Sequence, residues 1–86
     1  MDREQRQQIA DVICREWNYG KPPPRYLESS ALRERLAGEG MHLSDEDLLG
    51  FLDELAEGEL LKQREYIGKR RIEGINQLLC EEPLNE

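Results

Sequence analysis

SDEDLLGFLDELAEGELL, residues 44–61, decides the fold. Ser44 is placed to accept the free N–H groups of a first helical turn, and Asp47, three residues on, completes a capping box. Asp45, Glu46 and Asp47 lie where the positive end of the helix dipole favours carboxylates. Leu48, Phe51, Leu52 and Leu55 recur at helical spacing and form one apolar stripe. Gly58 is the expected stop, through a left-handed cap. Residues 59–65 alternate and predict a strand directly after the helix.

The opposite face of this helix carries Asp45, Glu46, Asp53, Glu54 and Glu57, with Leu49 and Gly50 between them, and no Lys or Arg occurs from Gly40 to Leu61. The plainest reading is a solvated acidic face. The sharper one is a protein-binding face, with Leu49 and Gly50 as a small apolar saddle rimmed by acid.

Working outward, Asp2 and Gln5 form a capping box for a first helix, in which Ile9, Val12, Ile13 and Trp17 share a face. Gly20 is its expected end. Lys21-Pro-Pro-Pro-Arg25 cannot be helical and predicts a stiff extended connector. Tyr26-Leu27 is a candidate short strand. Ser29 or Ser30 would cap a second helix with Ala31, Leu32, Leu36 and Ala37 inward. Gly38 and Gly40 end it, and Met41 and Leu43 close the corner. His42 has no partner near it in sequence and is expected to be an exposed loop residue. After the organising helix, 60–67 and 70–75 read as two strands around Gly68-Lys69, with Lys69, Arg70 and Arg71 at the tip. Residues 76–82 are expected to add a helical turn or two, with Leu78 and Leu79 inward.

At 86 residues the chain makes one domain,. Residues 1–80 are expected to fold and 81–86 to form an acidic tail. A domain this small buries only about 60% of its unfolded surface, so its core is thin. Charged residues are 36% of the chain and mean hydropathy is −0.83. No apolar run approaches the roughly 20 residues that span a bilayer, and MDREQRQQ lacks the apolar segment of a signal peptide. A soluble, cytoplasmic protein is the expectation. There Cys14 and Cys80 would be free thiols, although a bridge between first helix and tail stays open. Two Cys and one His without short spacing predict no metal site.

The net charge of −7 is unevenly spread. Residues 27–58 hold Arg33 and Arg35 against nine acids, whereas 59–75 hold Lys62, Arg64, Lys69, Arg70 and Arg71 against Glu59, Glu65 and Glu73. An acidic middle is thus followed by a mildly basic hairpin. Catalysis is not expected: there is no localisable carboxylate pair, no nucleophile–histidine set and no phosphate-cradling glycine loop. No cofactor is expected either.

From Ser30 to about Ile75 the chain resembles the winged helix-turn-helix superfamily. The carrying residues are Ala31-Leu32-x-x-Arg35-Leu36, the glycine-containing corner, Leu43-Ser44-x-x-Asp47-Leu48-x-x-x-Leu52-x-x-Leu55, Gly58-x-Leu60-Leu61, and a hairpin tipped by Gly68-Lys69-Arg70-Arg71. The resemblance implies an α+β, mainly helical fold: three helices, a C-terminal β-hairpin wing, and a short tail or helix after it. It commonly implies duplex DNA binding, with the second helix of the motif in the major groove and the wing on the backbone. The groove-facing positions would be Ser44, Asp45, Glu46, Leu49, Gly50 and Asp53. Carboxylates there repel phosphates. The expectation is therefore a regulatory protein–protein interaction domain that uses the acidic face on a partner or on a second copy. The alternative is a DNA-binding transcriptional regulator using the first helix and Lys62, Arg64, Lys69, Arg70 and Arg71. Charges on a hairpin edge also serve simply to stop it pairing with another chain.

Overall fold

The computed structural model describes residues 1–18 and 26–81. Gly20 and the Lys21–Arg25 connector lie outside the described residues. The fold is α+β and mainly helical. Its elements run α1 (Arg3–Asn18), β1 (Leu27–Glu28), α2 (Ser29–Gly38), α3 (Asp45–Glu57), β2 (Leu61–Tyr66), β3 (Lys69–Ile75) and α4 (Leu78–Glu81). The three strands form one antiparallel sheet in the order β1-β3-β2.

α1 starts where a reciprocal capping box predicts. Gln5 N donates to Asp2 Oδ1 at 2.8 Å, and Asp2 N donates to Gln5 Oε1 at 3.0 Å. Ile9, Ala10, Val12, Ile13 and Cys14 then face the core, with Trp17 packed at its edge. α2 departs from expectation at its start. Its N-cap is Glu28, whose side chain makes no capping bond, and Ser29 is already helical. Only Leu32 and Leu36 are fully inward; Ala37 is half-buried, and Ala31, expected inside, faces solvent. Two inward residues per ten suffice because α2 is wedged between α1 and the sheet at those two side chains.

α3 is capped by Ser44, Asp47 N donating to Ser44 Oγ at 3.1 Å, which is the serine half of the expected capping box. Leu48, Phe51, Leu52 and Leu55 are all buried. Its C-terminal end is different. Gly58 has φ −79°, and Glu59 takes the left-handed conformation at φ 60°. Leu60 N then reaches Leu55 O at 2.9 Å, closing the last carbonyl of the buried stripe,. α3 still ends at Glu57 with Gly58 as its C-cap, but the left-handed residue that turns the chain falls one position later, at Glu59.

Three layers of side chains meet in the core: Ile9 and Ile13 from α1, Leu32 and Leu36 from α2, and Leu52 with Ile72 from α3 and β3. Met41 closes the corner between α2 and α3, and Leu79 from α4 plugs the open end. Leu78, expected inward, is 48% exposed. Asn76 caps α4 with its carboxamide (Leu78 N to Asn76 Oδ1, 3.0 Å), which fixes the turn that presents Leu79 rather than Leu78 to the core.

Cys14 and Cys80 are joined in a disulfide, with Cα atoms 5.7 Å apart. The expectation of free thiols is thereby corrected. Leu79 docks α4 against α1, and that docking brings the following residue to Cys14.

The hairpin is also shifted by one residue from expectation. Tyr66 pairs with Lys69, so the two-residue turn is Ile67-Gly68. Both residues have positive φ, 47° and 71°, as a primed hairpin turn requires. Lys69, Arg70 and Arg71 are therefore not at the tip. They are successive residues of β3, and their side chains alternate between the two faces of the sheet.

Candidate interaction surface

The alternation of β3 decides the electrostatics of the molecule. Ile72 is fully buried, so Arg70, two residues before it, lies on the same side of the sheet, the side that meets α3,. Arg70 Nη1 pairs with Asp53 Oδ1 at 2.6 Å and also donates to the carbonyl of Leu49 at 3.3 Å. Its side chain is only 18% exposed. Gln63, opposite Ile72 on β2, sends its amide to the same carboxylate at 2.7 Å.

Two further arginines reach α3 from other elements. Arg33 of α2 pairs with Asp45 at 3.0 Å and donates through Nε to the carbonyl of Leu43 at 2.8 Å. Arg6 of α1 pairs with Glu54 at 2.7 Å, and its guanidinium lies 5.1 Å from the centre of the Phe51 ring. A helix with no base of its own is thus held at its start by a cation from α2 and, at the neighbouring Asp53 and Glu54 of its second half, by cations from β3 and α1. Each such pair contributes at most about 1 kcal/mol at a partly exposed position. Among the described residues Glu46, Asp47 and Glu57 have no cationic partner.

The predicted interaction face is consequently in two parts. Glu46, Gly50 and Glu57 are open to solvent. Leu49 is half-buried against the core edge, and Asp53 is bridged by Arg70 and Gln63. Asp45, Glu46, Leu49, Gly50, Asp53 and Glu57 do share one outward face of α3. Its middle is partly roofed by the hairpin, so the apolar saddle is smaller than the sequence suggests.

On the far face of the sheet, Glu73 holds both Arg64 (3.2 Å) and Arg71 (3.0 Å), which sit opposite each other across β2 and β3. Arg71 also lies against two tyrosine rings, 4.3 Å from the centre of Tyr26 and 5.4 Å from that of Tyr66. Of the five predicted wing cations, Arg64, Arg70 and Arg71 are paired within the chain. Lys62 and Lys69 have no carboxylate partner among the described residues. On α1, Arg15 is bound to Glu39, so it is not held in reserve for a polyanion either.

Three side chains on this face were not singled out from the sequence. Tyr26 is 53% exposed, Tyr66 55% and Ile67 82%. The available signal was the position of Ile67 beside Gly68: a two-residue turn there puts a β-branched residue at positive φ, where it is a genuine outlier. With Glu28, Lys69 and Arg71, Tyr66 and Ile67 line an open cleft of about 220 Å³.

His42 is exposed, in a shallow groove with Ser30, Arg33 and Leu43. Among the described residues no group of three His, Cys, Asp or Glu is placed to hold a metal ion, and no helix is long and apolar enough to cross a membrane. No family model, curated protein or solved structure matches this chain.

Proposed function

We propose that this chain is a non-enzymatic binding module of winged-helix type, a regulatory protein–protein interaction domain that offers the exposed part of its acidic α3 face to a cationic partner surface. The element order, helix, short strand, two helices and hairpin, is the order the resemblance implies and supports the architectural half of this reading. The observation that carries the functional half is the charge on α3. Glu46 and Glu57 flank Gly50 on the outward face, and the cations that reach it, Arg33 and Arg70, are already committed to Asp45 and Asp53. A duplex brought to this face meets the carboxylates of Glu46 and Glu57, which have no cationic partner among the described residues.

The alternative, a DNA-binding regulator, has less to draw on than the sequence offers. Its wing contributes only Lys62 and Lys69 as uncommitted charges, and Arg6 and Arg15 of α1 face acids of the same chain. A polyanion gains little from so few contacts, because salt-dependent affinity scales with the number of phosphates neutralised. A cytoplasmic setting remains part of the proposal. It carries the consequence that the Cys14–Cys80 bridge would there be open to reduction.

The test is amide mapping by NMR with two probes at low salt, a cationic leucine–lysine helical peptide and a generic DNA duplex. The peptide is expected to shift the amides of Glu46, Gly50 and Asp53, and Glu46→Lys with Glu57→Lys to abolish the effect. Duplex binding that disappears on Lys62→Glu with Lys69→Glu would establish the alternative instead.

A further inference from the structure

We propose that the hairpin tip and the outer face of the sheet form a second docking surface, which takes a protein segment carrying an aliphatic side chain flanked by carboxylates. Four observations meet there. Ile67 is 82% exposed and held at φ 47° in the turn. Asn, Asp or Gly would suit that position better, and so exposed a side chain packs little of itself within the chain. Tyr26 and Tyr66 are both more than half exposed, yet they are held in place by the Arg71 guanidinium between them, which Glu73 in turn fixes. Lys69 stands beside them without a carboxylate partner among the described residues. Tyr66, Ile67, Lys69 and Arg71 line with Glu28 a cleft of about 220 Å³, which is below the ~300 Å³ at which small-molecule sites begin and suits a single side chain of a partner,.

Tyrosine and arginine around a small pocket are the residue types that dominate binding energy at protein interfaces. The charge around the pocket selects the partner. On this face Arg64, Lys69 and Arg71 outnumber Glu28 and Glu73, and Lys69 is the uncommitted charge of the lining, so a carboxylate next to the inserted side chain is favoured and a lysine is not. A nucleic acid strand fits less well. Arg71 already lies against both rings on which bases would stack, and Ile67 offers no hydrogen bond to a phosphate or base edge. This surface is separate from the acidic face of α3, on the other side of β3.

The experiment is a selection of randomised dodecapeptides on the immobilised full chain, with Ile67→Asn/Lys69→Glu as the comparison. Asparagine tolerates the left-handed turn, so the thermal midpoint of Ile67→Asn is expected to stay or rise, which separates folding from binding. Recovered peptides are expected to pair an aliphatic residue with Asp or Glu. Each is expected to lose about ten-fold in affinity on the double variant and on Tyr66→Ala. The proposal is overturned if no peptide family is enriched, if the enriched peptides are cationic, or if they bind the double variant equally well. It is also overturned if a single-stranded oligothymidine binds more tightly than the peptides and loses its binding on the same substitutions.

Discussion

Arg70 Nη1 lies 2.6 Å from Asp53 Oδ1, and this ion pair ties the basic hairpin to the acidic helix. Two features that look like separate surfaces in the sequence are in part each other's counter-charge. Replacing Arg70 by Gln is expected to lower stability by about 1 kcal/mol, since a partly exposed pair and a side-chain bond to the Leu49 carbonyl are lost together. A double-mutant cycle with Asp53→Asn, read by urea unfolding, is expected to return a coupling of roughly 0.5–1 kcal/mol that shrinks in high salt. No coupling would mean that the hairpin does not rest on α3.

Gly50 lies in the middle of α3 with open space where a Cβ would stand. Gly50→Ala is expected to raise stability by about 1 kcal/mol through helix propensity alone. If the same change weakens binding of the cationic peptide, the partner approaches the backbone at this point. Thermal unfolding and peptide titration on one preparation measure both.

The end of α3 offers a paired test. Gly58 is not at positive φ, and a Cβ there would meet the Glu54 and Leu55 carbonyls and Leu60 Cγ at ordinary contact distances, 3.6, 3.7 and 4.0 Å. Gly58→Ala is expected to be neutral or stabilising by about 0.5 kcal/mol. Glu59→Gly, at φ 60°, is expected to stabilise by about 1 kcal/mol,. Gly40, at φ 91°, is the opposite case, and an alanine there is expected to destabilise by about 1 kcal/mol or more,. Urea midpoints in this order would locate the left-handed residues without a further structure.

The disulfide spans 66 residues of sequence, nearly the whole described chain. Opening so large a loop is expected to cost about 2–4 kcal/mol. Cys14→Ser/Cys80→Ser, or reduction, is therefore expected to lower the thermal midpoint by about 8 °C or more, at about 4–8 °C per kcal/mol for a domain of this size. Hydrogen exchange is expected to show α4 losing protection before the core, because its own packing rests on Leu79. Equal midpoints with and without reductant would show the bridge to be idle in solution.

What was legible in the sequence was local. Ser44 with Asp47, Asp2 with Gln5, and the Leu48–Phe51–Leu52–Leu55 stripe need only neighbours within a turn or two of helix, and all stand where the spacing puts them. What was not legible depends on distant partners. The turn settled on Ile67-Gly68 against the preference of isoleucine, because the pairing of Tyr66 with Lys69 is fixed by the register that buries Ile72. The left-handed residue after α3 is Glu59 rather than Gly58, since Leu60 must reach back to Leu55. Cys14 and Cys80 meet only because Leu79 docks α4, a contact no local pattern announces. The outward face of α3 was readable by periodicity. Its partial roof was not, because which side Arg70 takes follows from strand alternation set elsewhere.

Arg70, Arg71 and Ile72 stand in a row on β3, two interchangeable guanidiniums followed by one aliphatic group. Sliding β3 by a single position against its neighbours, in one direction or the other, would bring Arg71 or Lys69 to Asp53, so that carboxylate would still meet a cation. Ile72, which that slip would turn out into water, is what makes the two alignments unequal.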